Sequence, residues 1–107
     1  MKRSPTRTEI QAKAHRDSFE AAVNGCRRFA RRFQQVRERA GMSIYALEMA
    51  SGVSRVMIDR IERGDSHPTM FLLFRLAFAM KVSVWEFSDD PPPKAARRRR
   101  KARGARR

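Results

Sequence analysis

The fold of this chain is decided by residues 43–69, which read SIYALEMASGVSRVMIDRIERGDSHPT. Two runs in this stretch have helical spacing, and each follows a serine whose hydroxyl can accept a hydrogen bond from a free amide at a helix start. We therefore predict helices over residues 44–51 and 55–63, capped by Ser43 and Ser54. A glycine lies in the turn between them, where a positive φ is easily adopted only by glycine. The stretch thus predicts helix, tight turn, helix.

The same signals extend the helical pattern on both sides. Apolar residues recur at helical spacing over residues 26–40, Pro68 opens a helix over 69–80, and Ser83 caps a last turn that ends at Phe87. No stretch alternates for long as a strand would, so we expect an all-α, five-helix domain over residues 26–88. The side chains expected to face its core are Phe29, Phe33, Val36, Leu47, Ile58, Ile61, Leu73, Leu76 and Met80.

Two further segments flank this domain. Residues 1–25 form an N-terminal extension, in which a thin apolar face predicts a helix over 8–23 that ends at Asn24-Gly25. Residues 89–107 combine three prolines with nine cations and two acids, which predicts a disordered basic tail. That tail is either an arm for nucleic-acid phosphates or a solubilising segment. In the first case its contacts are expected from Arg97, Arg98, Arg99 and Arg100.

The composition narrows the classes of function. The 107 residues include 25 Lys or Arg and 11 Asp or Glu, a formal charge of +14 that favours polyanionic partners. No apolar run approaches the roughly 20 residues of a membrane span, and the N-terminus lacks the apolar core of a secretion signal. We therefore expect a cytoplasmic protein with no membrane contact. With no nucleophile–base motif and no glycine-rich phosphate loop, we also expect no enzyme and no cofactor.

Metal binding and thiol chemistry have weak signals. His15 and His67 lack Cys or carboxylate partners at ligand spacing, so no metal site is expected. Cys26 is the only cysteine and stands beside two arginines. It is either a redox-sensing thiol or a partly buried cysteine at a helix start.

Three motifs carry a resemblance to a known family. SGVSR at 51–55, IERG at 61–64 and PT at 68–69 resemble the Cro and phage-repressor type of helix-turn-helix proteins, the Xre-like regulators. The resemblance runs from about residue 29 to 87 and is greatest to the DNA-binding half of regulators that also carry a cupin sensor, which we expect to be absent here. It implies a helix-turn-helix over 44–63 that binds double-stranded DNA.

The resemblance also implies which residues meet DNA. Base contacts are expected from the helix over 55–63, at Arg55, Val56, Asp59 and Arg60, because Arg pairs with guanine and an apolar side chain meets the thymine methyl. Asp59 either accepts from a cytosine amino group or holds Arg55 one turn away. Phosphate contacts are expected from Ser43, Ser54, Arg63, Ser66 and His67.

Four positions carry structural expectations from the family pattern. Arg37 and Glu62 match a structural ion pair between the first helix and the recognition helix. Glu48 stands where the family usually has a small residue, so it must turn outward or find a cation such as Arg55. Ile44 stands where the family often has a DNA-contacting glutamine, so that interaction is absent or is replaced by an apolar one.

The fourth helix predicts an interface. The family pattern turns Met70 and Phe74 toward the core and leaves Phe71 and Phe78 outward, where polar residues are usual; Trp85 is similarly unexpected. A bare patch of this kind requires a cover. We expect a homodimer with half-sites about 34 Å apart, and the alternative is the N-terminal helix folding back with Phe19 and Val23.

These features favour a sequence-specific transcriptional regulator that binds double-stranded DNA, whether chromosomal, phage-borne or the operator-binding half of a toxin–antitoxin pair. An antitoxin-type module that masks a protein partner, such as a toxin or a sensor, is one alternative. A non-specific nucleic-acid binder driven by the tail is the other.

Overall fold

A computed structural model describes residues 3–88 of the chain, and this part is all-helical, as predicted. It has four α-helices and one short 3-10 helix, with no strand among the described residues. The predicted tail, with Arg97 to Arg100, lies outside them. The helices are α1 (Arg7–Arg39), α2 (Ile44–Ser51), α3 (Arg55–Glu62) and α4 (Met70–Met80), followed by the 3-10 helix Val84–Phe87. No described helix has both the length and the apolarity needed to cross a membrane.

Side-chain caps define the helix starts. Ser43 Oγ accepts a hydrogen bond from the Ala46 amide at 3.0 Å, and Ser54 Oγ accepts one from the Met57 amide at 3.2 Å. Both caps were predicted and are confirmed. Thr69 caps α4 in the same way, so that helix begins at Met70, one residue later than predicted. Each cap satisfies an amide that has no partner inside its own helix.

The prediction of a break at Asn24-Gly25 is wrong. The helix α1 runs without interruption through this point for 33 residues. A glycine in a helix interior costs only about 1 kcal/mol relative to alanine, and extending an existing helix avoids a new nucleation step. The helices flanking Gly25 therefore merge into one. Residues 7–22 are exposed along their whole length, so the first half of α1 projects beyond the domain as an arm, which we define as residues 7–25.

A small core lies where the second half of α1 meets the other helices. Phe33 and Phe87 are fully buried with ring centroids 5.0 Å apart, and half-buried Phe29 packs on both rings. The α1 helix packs on α3 and the 3-10 helix, whereas α4 packs on α2 and the 3-10 helix. The buried core residues are Phe33, Val36, Leu47, Val53, Ile58, Ile61, Leu73, Leu76, Ala77, Met80 and Phe87.

Two residues expected in the core are on the surface. Met70 is 54% exposed and Phe74 is 55% exposed. The side of α4 that faces the neighbouring elements is the stripe of Leu73, Leu76, Ala77 and Met80, all of them buried. Phe74 is one residue off this stripe, and Met70 is at the helix start. The surface of α4 is therefore more apolar than the family pattern implied.

Candidate nucleic-acid interface

The helix α3 lies on the surface with one face free. It packs on α1 and α2 through Ile58 and Ile61, both fully buried. Its opposite face exposes Arg55, Val56 and Arg60, and Val56 is 59% exposed. Three of the four residues expected to contact bases thus share one solvent-facing surface.

The expected alternative pairing of Asp59 with Arg55 does not form. The carboxylate of Asp59 binds the guanidinium of Arg63 instead, the residue that directly follows α3. The guanidinium groups of Arg55 and Arg60 have no ion pair with any group in residues 3–88. Both charges face solvent and are available to an anionic or guanine-bearing ligand.

Glu48 is accommodated at the start of α3. Its Oε2 accepts a hydrogen bond of 2.7 Å from the backbone amide of Arg55. Of the two expectations for Glu48, an outward turn or a cation such as Arg55, the second named the right residue. The contact is with the backbone amide of Arg55 and not with its guanidinium. A carboxylate at a helix N-terminus is favoured by the helix dipole. Glu48 and the cap Ser54 together fix the position at which α3 leaves the turn.

Arg75 of α4 holds the turn between α2 and α3, a role that the sequence did not predict. Gly52 has φ of 76°, and a Cβ there would lie 3.0 Å from Nη2 of Arg75. That same nitrogen donates to the carbonyl oxygen of Ser51 at 3.0 Å. Arg75 thus ties α4 to the turn. A contact of a side chain with a backbone carbonyl 24 residues away leaves no periodic signal in the sequence.

Arg37 and Glu62 join α1 to the end of α3. Arg37 donates to Glu62 from Nε at 2.6 Å and from Nη2 at 2.9 Å, and its Nη1 donates to the Met42 carbonyl oxygen at 2.9 Å. The two side chains are only 11% and 7% exposed. The hydrogen bond with Glu62 raises the pKa of Arg37 above its ordinary value, although burial opposes this rise. Arg37 is therefore charged at neutral pH, and its two hydrogen bonds to Glu62 hold the end of α3 against α1.

The loop after α3 carries the other expected phosphate contacts. Ser66 Oγ donates to Met57 Sδ at 3.5 Å, and Arg63 is held by Asp59. His67 is exposed, with Nδ1 at 3.6 Å from Sγ of Cys26. The hydroxyls of Ser43 and Ser54 serve as caps, which occupies an acceptor position and leaves the O–H proton free to donate. Arg63, Ser66 and His67 thus share one loop.

The proximity of Cys26 and His67 was not predicted, because 41 residues separate them in sequence. They meet where α1 passes the loop after α3, and Cys26 is half-buried there. Among residues 3–88 no three His, Cys, Asp or Glu side chains come together as a metal site requires.

A second surface feature is apolar. Phe71 is 74% exposed, Phe78 is 85% exposed and Trp85 is 65% exposed. Phe71, Phe74 and Phe78 line an open groove of about 360 Å³ between α2 and α4. The N-terminal helix does not fold back over them, because α1 is continuous and its arm is bare.

Similar proteins share this architecture. Residues 33–86 match the HTH_3 helix-turn-helix family, half of the chain. The chain is 36% identical over 58 residues to the HTH-type transcriptional regulator SutR of Escherichia coli K12, which is 54% of this chain and 33% of SutR. It therefore spans about a third of this curated relative.

Two solved structures have the same fold. One is the restriction-modification controller protein C.AhdI of Aeromonas hydrophila, with a TM-score of 0.56, 26% identity, and coverage of 58% of this chain and 94% of C.AhdI. The other is an HTH_3 family transcriptional regulator from Vibrio cholerae, with a TM-score of 0.58, 32% identity, and coverage of 61% of this chain and 36% of the other. The motifs, the helix order and these matches together show that the chain belongs to the HTH_3 family of Cro and repressor-type helix-turn-helix proteins.

Proposed function

We propose that the protein is a transcriptional regulator that recognises a specific sequence in double-stranded DNA with α3 in the major groove. The observation that carries this proposal is the free face of α3, where Arg55 and Arg60 have no ion pair within the described residues and Val56 lies beside them. A capped helix that presents two unpaired guanidinium groups suits the donor and acceptor pattern of the major groove.

Each residue on this face has a distinct proposed role. Arg55, at the first position of α3, donates bidentately to guanine, and Val56 contacts a thymine methyl group. Arg60 lies one turn further and contacts either a base or the flanking phosphate. Asp59 positions Arg63 while their pair is closed, and it can accept from a cytosine amino group when that pair opens.

Backbone contacts complete the proposed interface. Arg63, Ser66 and His67 lie in the loop after α3, and the hydroxyls of Ser43 and Ser54 stand at two helix N-termini, where phosphate is favoured. The arginines of the tail would add affinity that does not depend on sequence and that falls with salt.

A short recognition helix reads few base pairs, so we propose a homodimer that binds two half-sites about 34 Å apart, with the surface around Phe71, Phe78 and Trp85 at its interface. C.AhdI, of which the chain covers 94%, is a controller protein, which supports regulation by a domain of this size. A regulator of this kind acts in the cytoplasm.

The test is selection of bound fragments from random duplex DNA by the full chain. We expect an enriched motif with two-fold symmetry and half-sites about one helical turn apart. Binding without any enriched motif would contradict the proposal and favour a non-specific binder driven by the tail. No binding at all would favour a module whose partner is another protein, such as a toxin or a sensor.

A further inference from the structure

The charges of the arm lie on one side only. On a helix with 100° per residue, the side that buries Phe33 in the domain continues along the arm as a face about 140° wide. That face has no Lys, Arg, Asp or Glu; its residues are Thr8, Gln11, Ala12, His15, Ser18, Phe19, Ala22 and Val23. On the other side, Lys13 and Asp17 pair at 2.9 Å and Glu9 pairs with Arg3 at 2.7 Å.

The uncharged face of the arm has no cover among the described residues of the chain. Phe19, at its centre, is 64% exposed, and the face as a whole is exposed except for partly buried Val23. In a chain of which 34% is charged, such an uncharged face on a projecting helix suits a protein contact.

The groove between α2 and α4 is the second uncovered surface. Phe71, Phe74 and Phe78 recur at spacings of three and four, so their rings stand in a row along α4. Ala50 and Ser51 form the opposite wall. With about 200 Å² for each phenylalanine side chain, the three rings expose about 430 Å².

The arm cannot reach the groove of its own chain. The α1 helix packs on α3 and the 3-10 helix, whereas the groove lies between α2 and α4. Because α1 is one continuous helix through Gly25, no hinge allows Phe19 to turn back. Any arm that fills the groove must come from another molecule.

We propose that the arm of one chain lies in the groove of a second copy, with its uncharged face on Phe71, Phe74 and Phe78, and that the exchange is reciprocal. The proposal rests on the homodimer proposed above and not on the reading of DNA. A stable interface buries about 800 Å² on each partner. The groove rings supply about half of that area, so a second surface is required, and the uncharged face of the arm supplies it. In a two-fold symmetric dimer, each chain then buries its arm in the partner's groove and receives the partner's arm in its own groove.

The first test compares two substitutions on opposite sides of the arm. Phe19 and Ile10 are 64% and 55% exposed, and they lie about 180° apart around the helix. By sedimentation without DNA, Phe19→Glu should raise the dimer dissociation constant at least about 30-fold, whereas Ile10→Glu should leave it nearly unchanged. Circular dichroism should show equal helix content in both. A wild-type chain that is monomeric at micromolar concentration, or a Phe19→Glu chain that dimerises as wild type does, would overturn the proposal.

The second test identifies what the arm contacts. In a Cys26→Ser background, Ala22→Cys marks the uncharged face of the arm and Ala50→Cys marks the groove wall. A short bis-maleimide should link the two variants when they are mixed and should link neither variant alone. Linkage of Ala22→Cys alone would show that arms pair with each other, and linkage of Ala50→Cys alone would show that grooves face each other. Either result, or no linkage at all, would overturn the exchange and leave the reading of DNA by Arg55 untouched.

Discussion

Replacing Glu62 with glutamine should destabilise the domain strongly. The carboxylate accepts two hydrogen bonds from Arg37, at 2.6 and 2.9 Å, in a site where the two side chains are only 11% and 7% exposed. Glutamine has nearly the same volume but no charge, so packing is preserved while the guanidinium loses its counter-ion. Arg37 keeps its hydrogen bond to the Met42 carbonyl oxygen, and the amide oxygen of the new glutamine replaces one of the two carboxylate acceptors, while its NH2 group faces the other donor.

The magnitude follows from the burial of the remaining charge. Removing one member of a buried ion pair costs about 3–5 kcal/mol, and we take about 3 kcal/mol because Arg37 keeps its bond to Met42 and one acceptor on the new glutamine. Small domains have a total stability of about 5–15 kcal/mol, so this is a large fraction. For a domain of this size it corresponds to a fall in Tm of about 12–24 °C.

Thermal and urea unfolding of the full chain measure this effect, with Asp59→Asn as the matched control. Asp59 also pairs with an arginine, but the pair is exposed, with side chains 62% and 47% accessible, and should be worth less than about 1 kcal/mol. If Glu62→Gln unfolds within about 4 °C of wild type, the buried pair does not stabilise the packing of α3 on α1, and its assigned role is wrong.

Three further predictions concern the start of α3, the glycines and the tail. Glu48→Ala removes the acceptor for the Arg55 amide and should lower the free energy of unfolding in urea by about 1 kcal/mol. An unchanged midpoint would show that this hydrogen bond does not stabilise the start of α3. Gly25→Ala should stabilise the chain by about 0.5–1 kcal/mol, since the nearest atom to the new Cβ is 3.8 Å away, whereas Gly52→Ala should destabilise it, because φ is 76° and Arg75 is 3.0 Å away. Equal Tm changes would contradict this contrast. Truncation after Asp90 should weaken binding to all DNA and flatten the slope of log K against log salt by about 0.9 for each phosphate that the tail neutralises, and an unchanged slope would assign the tail another task.

Local signals in the sequence predicted the helix-turn-helix well. Ser43 and Ser54 cap their helices as expected, and Gly52 adopts a positive φ, because these effects act within a few residues. Errors arose where more than the preference of a single residue decides. The break at Gly25 was predicted from local propensity, but the helices on both sides override a single glycine.

The details of the site depend on tertiary contacts that no local pattern contains. Glu48 was recognised as unusual, yet its partner, a backbone amide, became visible only in the folded chain. The approach of Cys26 to His67 had no signal in the sequence. Phe74 was assigned to the core from the family pattern, although the buried side of α4 is the stripe beside it and Phe74 is 55% exposed.

Sequence recognition by α3 is tested most directly by measuring whether Arg55 distinguishes one duplex from another. The measurement is the ratio of dissociation constants for a selected duplex and a random duplex at one salt concentration, for wild type, Arg55→Ala and the control Arg39→Ala, which removes an exposed arginine of α1. Arg55→Ala should cost about 1–3 kcal/mol on the selected duplex, relax the preference at one base position, and scarcely change binding to random DNA. Arg39→Ala should preserve the ratio. Equal weakening of Arg55→Ala on both duplexes would contradict base reading by α3 and assign Arg55 to a phosphate.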